Sequence, residues 1–129
     1  MNYLIDTHVL LWIFHDPDKI TKQAMNIIVN TENNLFVSMA SIWELSLKIS
    51  LNKLDLGCSL NYFVKNEIIS NSIELLSIDL EHLYLVQQLP FHHRDPFDRL
   101  LIAQAKHENL TIISKDSHFR KYDVKLYWT

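Results

Sequence analysis

Glycine is almost missing from this chain: Gly57 is the only one. Loops that cradle phosphates need several glycines at fixed spacing, so a P-loop or a dinucleotide-binding turn is excluded. Cysteine is as scarce. The lone Cys58 cannot close an intrachain disulfide, which suits a reducing cytoplasm, and reads as a small packing residue. No Cys/His spacing fits a structural zinc. The three prolines, Pro17, Pro90 and Pro96, form no tract, and no linker, repeat or low-complexity segment is present. No apolar run reaches the ~18 residues that span a bilayer. The opening Met1–Asp6 has no basic segment before its apolar stretch, so no secretory signal is expected. Cations do not dominate either: 12 Lys+Arg face 15 Asp+Glu, a net charge of −3. That is not the balance of a protein that coats nucleic acid nonspecifically. With four acids assigned to metal the balance turns slightly positive, so bulk charge neither supports nor excludes RNA.

What is present suits one globular domain over 1–129, with 48% hydrophobic and 21% charged residues. Segments 2–6, 35–38, 74–78, 111–114 and 124–127 read as strands. Segments 7–15, 21–30, 40–50, 60–70, 79–89, 96–109 and 117–122 read as helices. The helix at 96–109 carries the clearest punctuation: Asp95 as N-cap, Pro96 at the first position, Asn109 at the end. Strands alternating with helices predict an α/β fold around a parallel sheet.

In right-handed α/β units, strand C-termini and helix N-termini share one edge of the sheet. Open α/β sheets place their ligands there. Four acids map to that edge. Asp6 ends the first strand, Glu44 lies a turn into the helix after the second, Asp98 is in the first turn of the Pro96 helix, and Asp116 follows the fourth strand. Such a cluster suits phosphodiester hydrolysis. Carboxylates hold hard dications such as Mg²⁺ or Mn²⁺, which activate water and neutralise phosphoryl charge. Each acid also has a plain structural role open to it. Asp6 and Asp116 can cap the elements that follow them. Ser41-x-x-Glu44 matches a capping box, and Asp98 suits a helix dipole. Their convergence on one edge favours the metal reading.

The local wording carries a resemblance. Tyr3-Leu4-Ile5-Asp6-Thr7-His8-Val9-Leu10-Leu11-Trp12 resembles the opening of PIN-domain toxins of the VapC type. Val37-Ser38 with Ile42-Trp43-Glu44-Leu45 resembles their second motif. His93-Arg94-Asp95-Pro96-Phe97-Asp98-Arg99-Leu100-Leu101-Ile102-Ala103-Gln104-Ala105 resembles the third and is the most specific. Thr111-Ile112-Ile113-Ser114-Lys115-Asp116 with Phe119 resembles the fourth. The resemblance implies a three-layer α/β/α sandwich with a central, mainly parallel sheet. It also implies an endoribonuclease using one or two Mg²⁺ or Mn²⁺ ions, with Asp6, Glu44, Asp98 and Asp116 as the acidic site. Thr7, Asp95 and Ser114 would support it. An RNA substrate, a small antitoxin partner and a homodimer are implied with it, and no membrane.

Other residues stay open between two roles. Arg94, Arg99 and Lys115 flank the acids; they can grip phosphates or pair with the carboxylates. Lys48 and Lys53 read as a solvated helix face. Trp12 and Trp43 read as core before base-stacking surfaces. His92 and His93 are adjacent and cannot both face one site from a regular element, so they read as loop residues before RNA contacts or metal donors. Two further functions compete: a non-catalytic RNA- or protein-binding module on the same fold, and a receiver-like domain. The latter would need Asp79 as phosphoacceptor and lacks a well-placed lysine.

Overall fold

The computed structural model describes residues 1–128. Five strands, β1 (Asn2–Ile5), β2 (Asn34–Ser38), β3 (Glu74–Leu76), β4 (Thr111–Ile113) and β5 (Lys125–Tyr127), form one sheet in the spatial order β3-β2-β1-β4-β5. Every neighbouring pair is parallel. The helices are α1 (Thr7–His15), α2 (Lys22–Val29), α3 (Met39–Ser50), α4 (Leu60–Phe63), α5 (Leu80–Gln88) and α6 (Pro96–Glu108). Among the described residues none is long and apolar enough to cross a membrane.

Successive strand side chains point to opposite faces, and this sheet is packed on both. Tyr3, Ile5, Leu35, Val37 and Ile113 meet Val9 and Leu10 of α1, Leu45 of α3 and Phe63 of α4. Leu4 and Ile112 meet Leu101, Ile102 and Ala105 of α6, with Phe119 and Tyr122. The result is a three-layer α/β/α sandwich. Two-sided burial explains why its strands are short, near-continuous apolar runs rather than alternating ones.

The expected helix over 60–70 is not continuous. After the single turn of α4 the chain takes a π turn over Val64–Ile68, then a 3₁₀ turn over Ile69–Asn71. Phe63 and Ile68 are both fully buried. Five residues apart, they would point about 140° away from each other on an α-helix. The wider π turn puts both on the sheet. Cys58 is exposed, so it is not the packing residue expected.

Strand order creates a crevice at the carboxyl edge of the sheet. The chain moves outward from β1 through β2 to β3, then returns across β1 to lay down β4. The direction of winding reverses between β1 and β4, and the C-terminal ends of those two strands flank the crevice.

Candidate metal site at the β1/β4 crevice

Asp6 follows β1 directly, caps α1 by accepting the Val9 N–H at 3.0 Å, and is nearly fully buried. Its second oxygen accepts a short hydrogen bond from the Ser114 hydroxyl. Ser114 follows β4, and its Oγ also accepts the Asp116 N–H at 3.0 Å. One buried hydroxyl therefore ties the ends of both strands together. Asp95 caps α6 by accepting from Phe97 and Asp98 N–H groups at 2.8 and 3.2 Å. Asp98 lies in the first turn that this cap opens.

The pocket is crowded with negative charge. Burial pushes the Asp98 carboxyl up to about 6, and the charges of Asp95 and Asp6 push in the same direction. Burial also raises Asp6, against hydrogen bonds from Ser114 and Val9. Burial alone would raise Asp116 too, but the backbone N–H and ring of His118 outweigh it and hold that carboxyl below its usual range.

Two histidines complete the cluster. His93 Nε2 lies 2.9 Å from Asp98 Oδ2, and His118 Nδ1 lies 2.7 Å from Asp116 Oδ1. The two rings stack with centroids 5.1 Å apart. Donor atoms of His93, Asp98 and Asp116 all fall within 4.8 Å of one another. In the sequence His93 reads first as a loop residue, and His118 does not stand out at all. A signal exists for His118: an N-capping aspartate brings residue i+2 onto its own carboxylate. For His93, whose loop has no regular period, there is none.

The other sequence candidates divide. Asp6 and Glu44 both lie outside the donor triad; Asp6 is bound to Ser114, and Glu44, buried on α3, pairs through Oε2 with Lys48 at 2.9 Å. Lys48 is thus an ion-pair partner and not merely a solvated face. The capping box expected at Ser41-x-x-Glu44 does not form. Ser38 caps α3, while Ser41 accepts a 2.8 Å hydrogen bond from Thr7 Oγ1. Lys115 is exposed and lines a pocket of about 280 Å³ with Asp6, His8, Trp12 and Asp116. Arg94 is exposed. Arg99 is neither a phosphate contact nor an acid partner. It is buried, and its guanidinium donates to the carbonyls of Val86, Leu89, Pro90 and His93 and to the Tyr122 hydroxyl. Those donors are committed to the 86–93 segment and Tyr122, which leaves Arg99 a structural role. Trp43, expected in the core, is half exposed and packs edge-on against Phe97, 4.9 Å between centroids.

The PIN domain family model matches residues 3–125, from within β1 to the first residue of β5, and includes every residue of this crevice. The chain belongs to the PIN domain family. Solved structures share the PIN fold at low identity. VapBC2 from Rickettsia felis bound to a promoter DNA fragment is 16% identical, covers 100% of both chains and has a TM-score of 0.74. VapBC from Salmonella typhimurium, also DNA-bound, is 16% identical over 98% of this chain and 97% of that one, TM-score 0.72. A toxin–antitoxin complex from Klebsiella pneumoniae is 12% identical over 97% and 95%, TM-score 0.62. A comparison with curated proteins found no match.

Proposed function

We propose that this PIN domain is a metal-dependent endoribonuclease and the toxin half of a toxin–antitoxin pair. The observation that carries the reading is the buried acidic crevice. Asp98 is pushed up to about 6 by burial and by two neighbouring carboxylates, a cost that a bound dication would remove. The donor set is hard and mostly oxygen, which fits Mg²⁺ or Mn²⁺. Asp98, Asp116 and Asp6 would hold one or two such ions, with Glu44 near by on α3, and Ser114 and Thr7 fixing the shape of the pocket. A bound dication would lower the pKa of a water and neutralise phosphoryl charge. Asp95 orients Asp98 through its helix cap. Lys115 and Arg94, both exposed, are available to grip the RNA backbone.

The fold neighbours found as complexes support a small antitoxin partner. A homodimer and a cytoplasmic location belong to the same reading. The test is cleavage of structured RNA by purified protein with Mg²⁺, with Mn²⁺ and with chelator. Metal-dependent cutting should fall by at least about 100-fold in Asp6→Asn and Asp98→Asn. Full activity in these variants would show that the assigned site is wrong, and no divalent binding by calorimetry would favour a non-catalytic RNA- or protein-binding module.

A further inference from the structure

The tight donor cluster holds two carboxylates, Asp98 and Asp116, while Glu44 pairs with Lys48 and Asp6 is tied to Ser114. The position nearest Asp98 is held by an imidazole. We propose that His93 is a metal ligand, forming with Asp98 and Asp116 a mixed nitrogen–oxygen site that prefers a transition-metal dication such as Mn²⁺ over Mg²⁺. This inference rests on the metal-dependent function proposed for the crevice and deepens it.

The geometry suits coordination. Around an ion with bonds of about 2.1 Å, adjacent ligand atoms sit about 3 Å apart and opposite ones about 4.2 Å. His93 Nε2 and Asp98 Oδ2 are 2.9 Å apart, and the whole triad lies within 4.8 Å. Three protein donors also leave positions open for water and phosphate, as catalytic sites require.

The loop that delivers His93 is built to hold it. Its main-chain N–H donates to the Tyr122 hydroxyl at 2.9 Å, and its carbonyl accepts from Arg99. Arg99 in turn fixes the carbonyls of Val86, Leu89 and Pro90. His118 stacks on the ring. A loop residue with no site to serve does not need a buried guanidinium, a buried tyrosine and a stacked ring to place it.

The tautomer is compatible as well. Without an ion, Nε2–H of His93 donates to the Asp98 carboxylate; no protein group among the described residues meets its Nδ1, so the hydrogen can move there when an ion takes the Nε2 lone pair. The second histidine cluster lacks that freedom. His82 Nδ1 accepts the Asp79 N–H at 3.0 Å, so neutral His82 carries its hydrogen on Nε2, aimed at Glu108. His82 is a structural pin and His93 a donor. One imidazole among carboxylates shifts preference toward ions later in the Mn²⁺-to-Cu²⁺ affinity order, all of which take nitrogen more readily than Mg²⁺ does.

Pulsed electron paramagnetic resonance on Mn²⁺-loaded protein reads bound nitrogen directly. The wild type should show modulation from a coordinated ¹⁴N, changing to the ¹⁵N pattern when histidine is ¹⁵N-labelled. The modulation should vanish in His93→Gln and persist in His118→Gln. Mn²⁺ affinity should drop by about 10-fold or more in His93→Gln, with a smaller loss for Mg²⁺. The ¹⁵N-labelled wild type needs no substitution, so a misfolded variant does not blunt the test. Mn²⁺ bound without histidine nitrogen, or nitrogen coupling that survives His93→Gln, overturns the His93 assignment and leaves the carboxylate site standing. No Mn²⁺ bound to the wild type overturns both.

Discussion

Asp98 concentrates the conflict between folding and chemistry in one side chain. Its folded-state carboxyl titrates at about 6, against 3.8 for an ordinary aspartate. A carboxyl raised on folding favours the folded state when protonated. That contribution is complete below the unfolded value and disappears as pH climbs through 6. Asp6 is shifted in the same direction by its burial. Asp116 is shifted the other way but is too exposed to offset them. Without metal, the protein is expected to lose on the order of 2 kcal/mol between about pH 4.5 and about pH 7.5 from Asp98. Asp98→Asn keeps the shape and removes the charge. Urea unfolding at about pH 7.5 should find the metal-free variant about 1–2 kcal/mol more stable than wild type, while the proposed function expects it to lose RNA cleavage. A variant less stable than wild type at that pH would show that the carboxylate is not under electrostatic strain.

Elements with local punctuation are the ones legible in the sequence. Asp95-Pro96 opens α6 and Asn109 closes it, as the sequence indicates. Thr21 caps α2 by accepting from Ala24 N–H. Elements decided by tertiary contacts are not legible in this way. The π turn after Phe63 exists because two buried side chains five residues apart must reach one sheet, which no local propensity encodes. Ser41 matches a capping box, yet Thr7, 34 residues away, claims its hydroxyl. The helix end offers a test at this scale. Asn109 adopts φ 56°, ψ 50°, the left-handed region that asparagine and glycine tolerate best. Asn109→Ala should cost about 1 kcal/mol, while Asn109→Gly should stay within about 0.5 kcal/mol of wild type. The difference between the two in thermal unfolding isolates the backbone effect, since both lose the exposed bond from Lys125. Equal costs would place the stabilisation in the side chain.

At the scale of the whole molecule, the crevice is a product of winding. Asp6, Asp98 and Asp116 lie far apart in sequence and meet because the chain reverses direction between β1 and β4. That much is legible in strand–helix alternation, since strand ends and helix starts share an edge. What the alternation does not carry is the loop at 89–95, whose path is set by Arg99 and Tyr122 rather than by any period, and with it the place of His93. The donors Asp98 and Asp116 come from α6 and the end of β4, with Asp6 beside them through Ser114, so the proposed ion would fasten these segments into one unit. An ion that binds only the folded state stabilises it by about 2.7 kcal/mol at about 100 times its Kd. For a domain of this size the unfolding midpoint should rise by on the order of 10 °C. The rise should scale with the logarithm of Mn²⁺ concentration, be smaller with Mg²⁺, and disappear in Asp98→Asn. Lys48→Ala, which removes only the partner of Glu44, should keep most of it. A midpoint indifferent to Mn²⁺ up to millimolar concentration would mean that these segments meet without holding an ion in common.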